Sequence, residues 1–376
     1  MIFIDHIPDN RLGYLTMRNF GFADAAELFV VFAGFSAMAA YGRTFERAGA
    51  RAGIVKVLMR CLKLYEVQVG LLIVTLCVVK LWTGLNGTQS LIVGPMLKDG
   101  LSGALRGVTL EALPAYLDIL PLYLVLLALF PLVYWGLRRS LAATVCVSAL
   151  IYVSANVWHI NLPNVVDTSV RGAWFFNPFA WQFIFVIGAA LATVTTRDGE
   201  LPWHPGIALA CLAYLLFAMV AAAPWQLWPN DWAGGLPLEI LGNNPKGYLT
   251  PLRLLNGVAV VYLALTSLTL RRFCGLMFLR PVIACGRHSL EVFALGSLMA
   301  LFGRLAFRSL GTDWHIQLIV NAVGMVSMVA LALTLDRRRR RAKARPEVAK
   351  DPYEPAQAQL SYAPHVPRRP KLQAPL

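Results

Sequence analysis

Four groups of ionisable residues stand inside or against apolar stretches of this chain: Asp5 with His6, Asp24 with Glu27, Arg60 with Lys63, and Arg287 and His288 with Glu291. A charge in such surroundings costs a few kcal/mol or more, which makes each group a candidate for function. His6 is the strongest candidate for a general base. Imidazole titrates near neutrality and can take a proton from a hydroxyl as that oxygen attacks an acyl carbonyl. Asp5 adjoins it, but neighbours in sequence do not face each other on a helix, so an orienting carboxylate is better sought on another helix, at Asp24 or Glu27. The bland alternative is that Asp5 and His6 mark only the interfacial end of a helix.

Asp24 and Glu27 are spaced to share one face at the start of a span, where carboxylates are also favoured simply by the helix dipole. Arg60 and Lys63 have the same spacing at the other end of a span. They suit phosphate groups of an acyl carrier, and snorkelling to lipid phosphates explains them nearly as well. In Cys285-Gly286-Arg287-His288-Ser289-Leu290-Glu291, a continuous helix would put Arg287 and His288 on one stripe with Glu291. That stripe is either an internal ion pair or a second functional cluster. No GxSxG, HExxH, Walker or GxGxxG pattern is present, so hydrolases of the soluble type, zincins and nucleotide motors find no support. No metal-ligand spacing is visible, and no bound cofactor is expected.

The elements that must position these residues are transmembrane helices. The chain has 376 residues, of which 57% are hydrophobic, and a mean hydropathy of +0.59. Soluble domains hold roughly 45 to 50% apolar residues. Long runs of Leu, Val, Ala and Phe form helices in a bilayer because lipid offers the backbone amides no other partner. Apolar length predicts full spans near Phe22 to Tyr41, Tyr65 to Leu85, Tyr116 to Leu137, Leu141 to Val157, Pro178 to Val194, Gly206 to Ala223, Pro251 to Leu270, Cys285 to Phe307 and Ile316 to Leu335. Three larger connections, Asn86 to Ala115, Trp158 to Asn177 and Pro224 to Thr250, carry turn formers and Trp. Ile2-Phe3-Ile4 reads as the outer end of a first helix whose beginning is missing, since a span needs about 20 residues. The expected class is therefore all-α, a polytopic bundle of nine full spans and one truncated helix.

The net charge of +14 reports topology rather than nucleic-acid binding, because the basic residues fall in short gaps between apolar runs. Arg43 to Lys63, Arg138 and Arg139, Arg197, Arg271 to Arg280 and the run Arg337 to Arg341 all land on one side if the spans alternate. That side is expected to be cytoplasmic, with the Trp-rich loops outward. Residues 1–336 are expected to form the membrane domain. Residues 337–376 should be a disordered, basic and Pro-rich cytoplasmic tail whose Arg run anchors to anionic lipid. The cysteines, Cys61, Cys77, Cys146, Cys211, Cys274 and Cys285, read as small buried hydrophobes without disulfides. No cleavable signal peptide is evident.

With these residues laid out, the chain resembles the OpgC family, the succinyltransferases of osmoregulated periplasmic glucans, within the larger membrane acyltransferase-3 group. Phe3-Ile4-Asp5-His6-Ile7-Pro8 resembles the end of that family's first helix, and Arg18-Asn19-Phe20-Gly21-Phe22-Ala23-Asp24-Ala25-Ala26-Glu27 the segment opening its second. Phe29 to Phe35 resembles the wider group's "FFVLSGF" box. Arg60-Cys61-Leu62-Lys63-Leu64-Tyr65 resembles its "R-x-x-R-I-x-P" box, with Lys63 in place of an arginine and Glu66 in place of proline. Cys285 to Phe293 resembles the "CGxxSLEVF" segment. The resemblance implies a ten-helix inner-membrane protein with a cytoplasmic C-terminus. It also implies transfer of an acyl group, succinyl foremost, from a cytoplasmic acyl-CoA co-substrate to a hydroxyl of a periplasmic glucan. His6 becomes the expected catalytic residue with Asp5, Asp24 and Glu27 beside it, and Arg60, Lys63, Arg287, His288 and Glu291 become expected donor-binding residues. The wider group carries an arginine upstream of the first-helix histidine that this chain lacks, which leads us to expect either a start upstream of Met1 or an inactive product. Acetyl transfer to another envelope polysaccharide fits the same residues, and a glycan or polyol transporter is the rival from another class.

Overall fold

A computed structural model describes residues 1–86, 93–165, 172–222 and 245–344. Most of the expected loop Pro224 to Thr250, the centre of Trp158 to Asn177, part of Asn86 to Ala115 and the tail beyond Ala344 therefore lie outside the described residues. The described chain is helical, with one isolated antiparallel bridge between Pro163 and Ala173. Six of the described helices are long and apolar enough to cross a membrane, and Leu141–Val157 and Pro251–Thr266 are shorter apolar helices. Many large apolar side chains on them are exposed, among them Leu62, Ile73, Leu132, Leu150, Leu209 and Ile319. Water would penalise such faces and lipid accepts them, so this is a membrane protein.

The chain divides into two units, Met1–Leu333 and Thr334–Leu376. The first opens with the short helix α1 (Ile2–Asp5) and two 3-10 turns, Arg11–Leu15 and Met17–Asn19. Then α2 (Ala25–Ala37) passes through a π-helical segment, Met38–Gly42, into α3 (Arg43–Asn86). Next come α4 (Gly94–Lys98), α5 (Gly100–Val108), α6 (Ile119–Arg139), α7 (Leu141–Val157), α8 (Pro178–Asp198) and α9 (Pro205–Ala222). After them follow α10 (Pro251–Thr266), α11 (Leu268–Cys274), α12 (Arg280–Arg287), α13 (Ser289–Leu310) and α14 (Trp314–Ala344). In the second unit the described residues are the basic end of that last helix, where Asp336 pairs with Arg340 at 3.0 Å.

Apolar length locates these helices but misplaces several ends. α3 reaches far beyond Tyr65 towards its N-terminus, because Arg51 to Lys63 are good helix formers that a search for lipid-depth residues passes over. It is interrupted only at Gly49, whose φ of 82° and ψ of 174° suit glycine alone. The expected span Pro251 to Leu270 stops at Thr266, where the Ser267 side chain caps a new helix by accepting from the Leu270 amide. The expected connection Asn86 to Ala115 contains α4 and α5. The cysteines also need correction: Cys61 is buried, but Cys77 and Cys146 are exposed on helix faces, where lipid is as apolar as a protein interior.

Helix packing rests on close backbone approach rather than on exclusion of water. At the crossing of α2 and α8, Gly34 lies against the Phe185 carbonyl and Gly188 against the Val31 carbonyl, with no room for a Cβ at either. A buried layer of Leu126, Leu127, Phe130, Trp181, Ile184 and Phe185 surrounds that crossing. α1 and the turn after it dock elsewhere, through Phe3 and Ile7 onto Ala300 and Phe307 of α13 and partners on α14. The chain after it is pinned by a reciprocal amide pair, Asn10 with Asn321, at 2.9 and 3.0 Å.

Candidate functional site

His6 follows the last residue of α1 and lines a cavity of about 540 Å³ together with Asp5, Asp24, Tyr116, Asp118 and Lys246. The cavity forms where the N-terminal ends of α2, α6 and α10 meet the segments before them. Each wall has a local cause. Asp24 is the N-cap of α2, accepting from the Ala26 amide at 2.7 Å, while Glu27 accepts from the Asp24 amide at 2.8 Å, which completes a capping box. The turn carrying Lys246 is held by hydrogen bonds from the Trp181 indole and the Asn177 amide to the Gly247 carbonyl.

The carboxylates at the start of α2 are engaged with cations. Arg253 bridges them, donating from Nε to Glu27 at 2.7 Å and from an Nη to Asp24 at 3.2 Å, and Lys246 reaches Asp24 at 2.6 Å. Glu27 has no exposed surface at all. Two carboxylates facing two cations make the cluster neutral, which is what permits so complete a burial. Burial would raise the Asp24 pKa, but Lys246 and Arg253 outweigh it and hold that carboxyl down at about 2.

His6 is positioned by other residues. Its ring lies 4.9 Å from that of Tyr116, and its carbonyl accepts a 2.9 Å bond from Arg304 of α13, whose guanidinium sits 4.4 Å from the Tyr116 ring centroid. Tyr116 adopts a φ of 71°, sparsely populated for a large side chain, so the stack holds strained backbone in place. The Nε of Arg304 is buried without a partner. Asp5 accepts from the Thr16 hydroxyl at 2.6 Å. Among the described residues no carboxylate hydrogen-bonds to the His6 ring.

A second cavity, about 460 Å³, holds Arg60 with Ser36, Tyr123, Ser289 and the rings of Phe29 and Phe293. Lys63 is exposed and does not line it. The stripe expected from Arg287 to Glu291 is broken: His288, with φ −111° and ψ 39°, separates α12 from α13, so spacing within one helix does not apply. Arg287 and Glu291 are exposed, and His288 is half-buried with its Nε2 buried and unpartnered.

The structure thus gathers His6, Asp5 and Asp24 at one cavity, sets Glu27 beneath it, places Arg60 at another and leaves Lys63, Arg287 and Glu291 on outer faces. Sequence reasoning missed Tyr116, Asp118, Lys246, Arg253 and Arg304. Arg304 stands within an apolar run, and the cost of a charge there is a signal that could have found it. Asp118 falls at the start of the expected span Tyr116 to Leu137 and stands at the N-cap of α6, where its side chain makes no capping bond. Half-buried in the cavity wall, its carboxyl is pushed up by burial to about 6.

Comparison with known proteins places these features. A family described as OpgC protein matches residues 1–340. No similar curated protein and no similar solved structure is found. The match takes in both cavities and the helices that frame them; the chain belongs to the OpgC protein family, a membership that implies an acyltransferase.

Proposed function

We propose that this protein is a membrane O-acyltransferase that moves a succinyl group from a cytoplasmic acyl-CoA to a hydroxyl of a periplasmic glucan. The observation that most supports this is the succession of two cavities along the same pair of helices. Ala25, Ala26 and Ile119 border the cavity of His6, while Leu28, Phe29, Leu120 and Tyr123, next along α2 and α6, border that of Arg60. A donor held from one side and an acceptor bound from the other could meet along that line.

In this reading the His6 imidazole takes the acceptor hydroxyl proton as the oxygen attacks the thioester carbonyl. The carbon–sulfur bond then breaks, and the imidazolium returns the proton to the departing thiolate, so that an ester and free coenzyme A result. No charge is left over, and no metal or bound cofactor is called on. Arg60 would pair with donor phosphates, with Arg287 and His288 near the same entrance. The choice of succinyl rests on family resemblance.

The same reading counts nine spans, taking Ala25–Leu85 as two divided at Gly49 and including Leu141–Val157 and Pro251–Thr266. Basic residues between them put the C-terminus and its Arg337 to Arg341 run in the cytoplasm of an inner membrane. Residues 337–376 would serve as a tail held to anionic lipid.

The deciding experiment is His6→Ala in a cell that substitutes its periplasmic glucans. Extracted glucans should lose the substituent while the variant still inserts and purifies as a folded protein. The mass of the group lost separates succinyl from acetyl. Glucans substituted as before would overturn the proposal, and glucans no longer exported but normally acylated would favour a transporter.

A further inference from the structure

The carboxylates around His6 are not equivalent. Asp5 is taken up by Thr16, and Asp24 by the Ala26 amide, Lys246 and Arg253. Asp118 faces the same cavity and, among the described residues, forms no hydrogen bond or ion pair with another side chain. A carboxylate at an N-cap normally accepts from an amide of the first turn. This one does not: it meets only its own backbone, and its carboxyl keeps accepting capacity for a molecule in the cavity.

An aromatic surface lies on the same cavity. Phe176 is buried against Trp181, with ring centroids 5.0 Å apart, so it is part of the packed wall. Phe175, edge-on to it at 4.9 Å, is 43% exposed and also lines the cavity. A carboxylate that no other side chain hydrogen-bonds, with an open aromatic ring, matches the two chemistries of a sugar, hydroxyls along its edge and C–H groups across its face. Unlike the succession of cavities, these observations concern what the acceptor side can hold.

We propose that this cavity contains a carbohydrate subsite in which Asp118 accepts hydrogen bonds from hydroxyls of the acceptor and the Phe175 ring stacks on the face of a sugar. It rests on the reading of this cavity as the acceptor side. Asp118 touches substrate in this role but takes no proton from the reacting hydroxyl, which belongs to His6.

Binding is tested apart from catalysis, with the full chain in lipid nanodiscs and a short linear gluco-oligosaccharide as the probe, followed by saturation-transfer NMR. Wild type should bind, and Asp118→Asn should bind about tenfold more weakly, the usual worth of a hydrogen bond to a charged group. Phe175→Ala, which removes a ring outside the packed core, should weaken binding too and serves if Asp118→Asn does not fold. Absence of binding by wild type, or unchanged affinity in the Asp118 and Phe175 variants, overturns the subsite. Transfer that persists in His6→Ala overturns the assignment of His6 as the base instead, whatever the binding data show.

Discussion

At the scale of single residues, the site separates groups that hold the structure from groups free to act. Asp24, Glu27, Lys246 and Arg253 form a closed set in which every charge has a partner. The Asp24 carboxyl lies at about 2 against an ordinary 3.8, so its contribution to stability is complete above about pH 4 and is lost as pH falls towards 2. Asp24→Asn should abolish that part of the acid-induced fall in unfolding temperature, read by comparing the two proteins across the range. Arg304 belongs to the acting side. It fixes the His6 carbonyl and the Tyr116 ring, and Arg304→Gln would leave both unsupported. Turnover should drop by roughly 10² through misplacement of the imidazole, with donor KM little changed. Equal turnover in the variant would show that His6 is held by packing alone.

The element scale explains why the apolar box Phe29 to Phe35 contains a glycine. Gly34 stands where α2 crosses α8, and a Cβ there would meet the Phe185 carbonyl. Gly34→Ala must therefore push two backbones apart, at a cost of at least about 1 to 3 kcal/mol. A lower unfolding temperature in detergent is expected, and an unaltered one would mean that the crossing is looser than the structure has it. The break at His288 belongs to this scale as well. It sets Ser289 and Gly286 on the wall of the Arg60 cavity while turning Arg287 and Glu291 outward. Spacing in sequence could not reveal this, since i,i+4 neighbours meet only when the helix continues.

For the whole molecule, long apolar helices separated by basic gaps give an orientation that can be measured. A reporter that fluoresces only in the cytoplasm, fused after Leu376, should be bright. One that is active only in the periplasm, fused at the same point, should be silent. The reverse pattern would overturn the orientation on which the proposal of a periplasmic acceptor depends.

The sequence alone determined that the chain is helical, that it belongs in a membrane, and that His6 and Arg60 merit attention. Each of these follows from apolar length or from the cost of a charge in lipid, which are properties of a segment by itself. Tertiary structure decided which charges neutralise one another. Asp24 and Glu27 read as partners of His6 or as carboxylates favoured by the dipole at a helix N-terminus until Arg253, far along the chain, was found between them. Tyr116, Asp118 and Arg304 became site residues for the same reason. Their places beside the cavity depend on how distant segments come together, and that leaves no periodic trace in the sequence.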